Sequence, residues 1–264
     1  MPTIRHDGSA LYYEEYGAGP PLVFVHGQAG NTLVWWQQIP AFAPDYRCIV
    51  LDLPGWGRSL DARPGSGPRL PDIVAALGRV LDAAGVGTCA IVAHSLGGVV
   101  ANAFCLAHPE RVRAAVLNES TGGVVPPSMQ ALKGEIDRDA GALTEAWRAG
   151  HGPHPGVSAR LYREQPALAR LYEMIAGLNR PDTLDPTRIP TMDRLAVPAH
   201  TLFLYGDEDP FCPPGFVEAA AAARPESTVA VIPASGHSPY FEHAAPFNTI
   251  VRHFLDVHYG ESLD

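Results

Sequence analysis

The segment CAIVAHSLGGVVANAF, which begins at residue 89, places a short apolar run directly before a longer one, with a serine between them. Residues Cys89–Val92 have the length and solid apolar character of a buried strand, and Val99–Ala107 have those of a buried helix. Ser95 occupies the corner, with small residues, Ala93 and Gly97, two positions to either side. A sharp strand-to-helix turn brings its two elements close together, so small residues are needed there.

Solid apolar runs alternate with helical patterns over much of the chain. The segments PLVFVHG, YRCIVLDLPG, RVRAAVLNES and HTLFLYGDED each contain a solid apolar run, as strands covered on both faces do. Apolar residues at helical spacing extend from Ile73 to Leu81, and Gly85 should end that helix. This pattern predicts an α/β protein with a doubly wound, mostly parallel sheet.

The alternation stops over residues 121–196, where no convincing strand is present. Glycines such as Gly141, together with Pro166, divide this stretch into about four short helices with apolar positions that need a surface to cover. We therefore predict one α/β core formed by residues 1–120 and 197–264, with residues 121–196 as an inserted helical cap.

Composition restricts the partners and the cellular location. The net charge of −9 and the pI near 5.6 disfavour a nucleic acid or an anionic membrane as partner. The N-terminus lacks a signal-peptide pattern, and no apolar run reaches the length of a membrane span. The four cysteines are scattered and are expected to be free thiols. These features predict a soluble cytoplasmic protein; they indicate neither its substrate nor its oligomeric state.

A serine at such a corner is either a helix N-cap or a nucleophile. A nucleophilic serine needs a base, and a carboxylate to orient that base. His237, in a loop after the last predicted strand, is the candidate base among eleven histidines. Its rivals are better explained structurally: His94 adjoins the serine and should point away from it, and His26 should shape its own loop. In FLYGDEDPFCPP, Asp209 is the candidate acid, although that cluster could also be a solvated acidic turn.

Two N–H donors are needed to stabilise an oxyanion. Leu96 would open the helix, so its N–H has no partner within that helix. In FVHGQAG, the chain turns at His26-Gly27 and can direct the N–H of Gln28 into the same space. A plain glycine-rich loop is the alternative interpretation.

Five motifs at strand ends carry a resemblance to a known family. They are VHGQ (25–28), DLPGWGRS (52–59), AHSLGG (93–98), YGDEDPFCP (205–213) and GHSPYFEH (236–243). Together they resemble the α/β-hydrolase fold superfamily, in its capped serine hydrolase branch, although Ala93 replaces the usual glycine. The resemblance implies an eight-stranded sheet, a helical cap between strands 6 and 7, and hydrolysis without a metal or an organic cofactor. Glu119 is the alternative acid, because some relatives place theirs after the preceding strand.

The predicted reaction is hydrolysis of an ester or lactone of a small, apolar substrate through an acyl-enzyme on Ser95. The first alternative is carbon–carbon hydrolysis of a ring-cleavage diketone. The family that catalyses this reaction usually carries Asn before the serine and Trp after the histidine, where His94 and Ser238 stand here. A small-molecule receptor that retains the fold is the second alternative. Several large side chains are candidates for lining the pocket or for plain core packing: Trp35, Trp36, Trp56, Tyr162, Tyr172 and Met174.

Overall fold

Eight strands form one sheet in the computed structural model, which describes residues 3–6, 9–60, 68–179, 191–198, 200–224 and 226–259. The spatial order is β1-β2-β4-β3-β5-β6-β7-β8. Strand β2 pairs antiparallel with β1 and β4, and every other neighbouring pair is parallel. This arrangement confirms the predicted α/β class with its mostly parallel sheet. The strands are β1 (Thr3–His6), β2 (Ser9–Tyr16), β3 (Pro21–Val25), β4 (Arg47–Leu51), β5 (Cys89–His94), β6 (Val112–Asn118), β7 (Thr201–Gly206) and β8 (Thr228–Ile232).

Helices lie between the strands along the described chain, with 3₁₀ turns at residues 32–35 and 127–129. None of the helices in this part of the chain is long and apolar enough to cross a lipid bilayer. The α-helices are α1 (Ile39–Phe42), α2 (Leu70–Ala83), α3 (Leu96–Ala107), α4 (Gln130–Arg148), α5 (Ala159–Glu164), α6 (Pro166–Gly177), α7 (Pro214–Ala222), α8 (Pro239–Glu242) and α9 (Ala244–His258).

Both faces of the sheet are buried, which explains why its central strands are apolar throughout. Along β3, Val23 and Val25 join the core on the face covered by α2, α3 and α7, while Leu22 and Phe24 join the core on the face covered by α9. Neighbouring side chains of a strand point to opposite faces. A strand between two helical layers therefore needs an apolar residue at every position.

The segment from residue 31 to residue 43, whose sequence NTLVWWQQIPAFA fits a single helix, forms a 3₁₀ turn followed by the short helix α1. Asn31 caps the turn, because its side chain accepts a hydrogen bond from Leu33 N at 3.0 Å. Pro40 lies in the first turn of α1. A continuous helix would need an N–H at that position, which proline lacks.

The helical insertion, α4 to α6, lies between β6 and β7 in chain order. The expectation of about four short helices is wrong for α4, which runs for 19 residues through Gly141. Good helix formers such as Ala, Leu, Lys and Glu surround this glycine, and they offset its low helix propensity. Pro166 does begin a new helix, α6, as expected. Residues 180–190 lie outside the described residues, and the domain boundaries stay a prediction.

Candidate active site

Five loops that follow parallel strands meet at one edge of the sheet. Strands β3, β5, β6, β7 and β8 run in the same direction, so their carboxyl ends lie together. In open α/β sheets this edge is where ligands bind. Every predicted site residue follows one of these strands.

Ser95 lies in a strained turn between β5 and α3. Its backbone has φ 50° and ψ −116°, in a region that residues with a side chain rarely occupy. Such a conformation costs about 1–3 kcal/mol and persists only where the surroundings enforce it. Three hydrogen bonds of 2.9 Å do so: Ser95 N donates to Asn118 O, and Ser95 O accepts from Gly98 N and from Ser120 Oγ.

The turn also depends on the close approach of α3 to β3. A Cβ atom on Gly97 would lie 2.3 Å from the carbonyl oxygen of Val25, so only glycine fits there. Ala93 is fully buried and pairs with Val25 across the parallel ladder. A methyl group is therefore accommodated at residue 93, where the family usually has glycine.

His237 and Asp209 form a buried hydrogen-bonded pair. The His237 Nδ1 to Asp209 Oδ2 distance is 2.7 Å, and the residues are 9% and 4% exposed. Phe211 N donates to the other carboxylate oxygen at 2.7 Å. Burial favours a raised pKa for Asp209, but the charge of His237 and these hydrogen bonds outweigh it, so the pKa is lowered. Because its neighbours Asp207 and Glu208 are exposed, only one of the three carboxylates can orient the imidazole.

Glu119 lies against the same pair but is bonded elsewhere. One oxygen accepts a hydrogen bond from Gly206 N, and the side chain is 2% exposed. Burial and the charge of Asp209 raise the pKa of Glu119 well above its ordinary value, which is opposite in direction to the shift of Asp209. Ligand atoms of Glu119, Asp209 and His237 lie within 4.8 Å of one another.

The two rival histidines make structural contacts. His26 donates from Nδ1 to Gly27 O at 2.8 Å and accepts from Leu53 N at Nε2, at 3.0 Å, so both ring nitrogens are used by its own loop and the loop after β4. His94 Nε2 lies 2.7 Å from the carbonyl oxygen of His237, which can only accept. His94 therefore carries its proton on Nε2, and burial lowers its pKa well below the ordinary value.

The residues predicted to supply N–H donors flank the serine turn. Leu96 is the first residue of α3. Gln28 follows Gly27, whose Cα approaches the serine so closely that a Cβ there would lie 3.0 Å from Ser95 Cβ and 2.5 Å from His94 Nδ1. Trp56 Nε1 donates to the Gln28 carbonyl at 2.5 Å, which holds the peptide that follows the Gln28 N–H.

Sequence reasoning assigned no role to several residues that contact the histidine loop. Ser238 Oγ donates to Tyr172 OH at 3.1 Å, and both oxygens of Glu242 accept backbone N–H groups. Glu242 stands in the motif GHSPYFEH, but the sequence does not show which backbone groups surround its carboxylate. These contacts link the loop to the helical insertion.

The candidate pocket residues fall into two groups. Trp35 and Trp56 are fully buried in the two cores, and Tyr172 is 2% exposed. Trp36 and Met174 are exposed. Core packing therefore accounts for Trp35 and Trp56.

Comparisons with known proteins agree with this architecture. A sequence model described as alpha/beta hydrolase fold matches residues 20–244. The pimeloyl-[acyl-carrier protein] methyl ester esterase of Aeromonas hydrophila is 28% identical over 92% of this chain and 98% of its own. The 2-hydroxy-6-oxononadienedioate/2-hydroxy-6-oxononatrienedioate hydrolase of Burkholderia vietnamiensis is 30% identical over 96% and 94%. The solved structure of Est816, an N-acyl homoserine lactone degrading enzyme, is 29% identical with a TM-score of 0.76, covering 96% of this chain and 100% of its own. The chain belongs to the alpha/beta hydrolase fold family, as its fold, its strand-end loops and these relatives show.

Proposed function

We propose that this protein hydrolyses an ester or lactone of a small molecule through an acyl-enzyme on Ser95, with His237 as base and Asp209 as orienting acid. The observation that carries the proposal is the 2.7 Å hydrogen bond between two buried side chains, His237 and Asp209, at the sheet edge where Ser95 occupies a strained turn. A carboxylate on Nδ1 leaves Nε2 as the proton acceptor, which is the tautomer a general base requires.

The proposed reaction has two halves. Ser95 Oγ attacks the carbonyl carbon while His237 Nε2 takes its proton, and the imidazolium then protonates the leaving oxygen. Water attacks the acyl-enzyme with the same histidine as base. Backbone N–H groups of Gln28 and Leu96 stabilise the oxyanion in both halves, each contributing about 3 kcal/mol.

We also propose that residues 121–196 act as a cap over the sheet edge. Asn179 supports this role, because its amide donates to Ala29 O at 2.9 Å and its carbonyl accepts from Gly57 N at 3.2 Å. Asn31 Nδ2 donates to the Ile175 carbonyl at 3.2 Å. All three contacts join the insertion to loops at the strand ends, where a small substrate would enter.

The test is covalent labelling with a fluorophosphonate, followed by mass spectrometry of the modified peptide. We expect Ser95 to be labelled, and Ser95→Ala to lower turnover of a p-nitrophenyl ester by about 10⁴-fold or more. Ser128→Ala, which changes an exposed serine, is the matched control and should retain wild-type turnover. Labelling at another residue, or full activity of Ser95→Ala, would refute the proposal.

Carbon–carbon hydrolysis of a ring-cleavage diketone is the second candidate, favoured by the 30% identity to the Burkholderia vietnamiensis hydrolase. Both reactions use the same serine and histidine, so labelling does not separate them. Comparing kcat/KM on a p-nitrophenyl ester, a lactone and a dienol diketone does. A diketone value more than tenfold above the other two would favour the second candidate.

A further inference from the structure

Glu242, in α8, is a buried carboxylate outside the proposed catalytic group. It is 5% exposed, yet no basic side chain forms an ion pair with it among the described residues. Its two oxygens accept backbone hydrogen bonds: Gly236 N donates to Oε1 and Ser158 N donates to Oε2, each at 3.0 Å. Both oxygens of Glu242 thus act as acceptors, and these hydrogen bonds oppose the burial that raises the pKa of this carboxyl.

The two donors belong to different parts of the molecule. Gly236 immediately precedes His237, whereas Ser158 is the N-cap of α5 in the helical insertion. The two backbones also touch, since a Cβ atom on Gly236 would lie 2.7 Å from Ser158 N. Glu242 therefore bridges the histidine loop and the insertion at their point of contact.

A second contact joins the same two parts on the other side of the histidine. Ser238 Oγ donates to the hydroxyl of Tyr172, a buried residue of α6, at 3.1 Å. Both chain neighbours of His237 are thus tied to the insertion. Movement of α5 and α6 would move the backbone that carries the imidazole.

We propose that Glu242 is a positioning residue that couples the seating of the helical insertion to the orientation of His237. The inference rests on the proposed function, in which His237 is the base. It predicts that loss of the carboxylate impairs proton transfer from Ser95, and not folding alone. A carboxylate with a purely structural role would lower stability and leave the rate of the folded enzyme unchanged.

The test compares Glu242→Gln with the wild type. Glutamine retains the shape but replaces one acceptor by an NH₂ group, which must face a backbone N–H. Glu164→Gln, at an exposed glutamate of α5, is the matched control. Three quantities are measured on each protein: kcat and KM on a p-nitrophenyl ester, the rate of fluorophosphonate labelling across pH, and the downfield proton resonance of His237 Nδ1.

We expect Glu242→Gln to lower kcat and the labelling rate at least tenfold, to change KM by less, and to broaden the Nδ1 resonance, while Glu164→Gln matches the wild type. A folded Glu242→Gln protein with a labelling rate and resonance within twofold of wild type would overturn the inference. Failure of the wild type itself to be labelled at Ser95 would overturn the proposed function instead.

A measurement on the wild type covers the case in which Glu242→Gln does not fold. The amide protons of Gly236 and Ser158 share one acceptor side chain, so we expect them to exchange with solvent deuterium at rates within threefold of each other. Exchange of Ser158 more than a hundredfold faster than that of Gly236 would show that the insertion opens without the histidine loop, and would overturn the inference.

Discussion

Replacing Asp209 or Glu119 by the corresponding amide separates two buried carboxyl groups that lie beside the same histidine. Asp209 is bonded to His237 Nδ1 and has a lowered pKa, whereas Glu119 is bonded to Gly206 N and has a raised pKa. We therefore expect Asp209→Asn to remove the charge that faces the imidazole and Glu119→Gln to leave that charge in place. We expect Asp209→Asn to have a large effect on turnover and Glu119→Gln a small one.

The 2.7 Å distance gives the size of the larger effect. A charge pair at that separation gains about 6 kcal/mol at an effective dielectric constant of about 20. This gain exists only once His237 is protonated, that is, in the transition state. Losing most of it lowers kcat by about 10⁴-fold. Glu119→Gln keeps an oxygen for Gly206 N and disturbs one hydrogen bond, worth about 1 kcal/mol, so kcat should stay within tenfold.

The assay is kcat on a p-nitrophenyl ester at neutral pH, with unfolding monitored by circular dichroism. Glu208→Gln, at the exposed neighbour of Asp209, controls for loss of an acidic residue from the same turn and should match the wild type. The reasoning is refuted if Glu119→Gln costs as much as Asp209→Asn, or if Asp209→Asn retains a tenth of wild-type turnover. A large loss in Glu119→Gln combined with a small loss in Asp209→Asn would make Glu119 the acid that serves His237.

Four further predictions concern stability. Gly97→Ala places a methyl group 2.3 Å from a backbone oxygen and should lower the free energy of unfolding by about 3 kcal/mol. Gly141→Ala, inside α4 with open space around it, should instead raise the free energy of unfolding by about 0.5–1 kcal/mol. Urea titration of both variants measures these two changes, and changes of the same sign would contradict the predictions. Ser120→Ala removes the hydrogen bond to Ser95 O and should cost about 1 kcal/mol by the same titration; an unchanged midpoint would contradict this. Burial, followed by the charge of His237, lowers the pKa of His154 from 6.5 to about 4, so the folded state loses stability as the pH falls from 6.5 towards 4. In Tm measurements across this pH range, His154→Gln should reduce that loss, whereas His151→Gln, at an exposed position, should not. Identical Tm profiles for His154→Gln and the wild type would count against the assignment.

The sequence was sufficient for the fold because the relevant signals are local. The central strands are mostly apolar, since both of their faces are buried, and that property appears directly in runs such as PLVFV. The strand-end motifs also located the residues that the sheet brings to one edge. The prediction that Gly141 separates two helices was wrong because a glycine breaks a helix only where its neighbours cannot offset its cost of about 1 kcal/mol.

The contacts between distant residues could not be read from the sequence. The bond from Glu242 to Ser158 spans 84 positions, and the bond from His94 to the His237 carbonyl spans 143. In neither pair does the local composition or spacing indicate that the two residues are in contact. His94 was expected to point away from the serine, yet its actual partner, a backbone carbonyl, leaves no trace in the sequence.

The loop that carries His237 is held from three directions, and this bears on how the proposed enzyme would respond to substitution. Asp209 reaches it from the loop after β7, His94 from the end of β5, and Glu242 from α8 together with the insertion. The first contact acts on the imidazole, whereas the other two act on the backbone at residues 236 and 237. Because an imidazole displaced by 1 Å can lose about a hundredfold in rate, changes in the insertion should affect kcat as well as KM. A substitution that reshapes the insertion for a new substrate would then retain full turnover only if it leaves the Ser158 N–H in place.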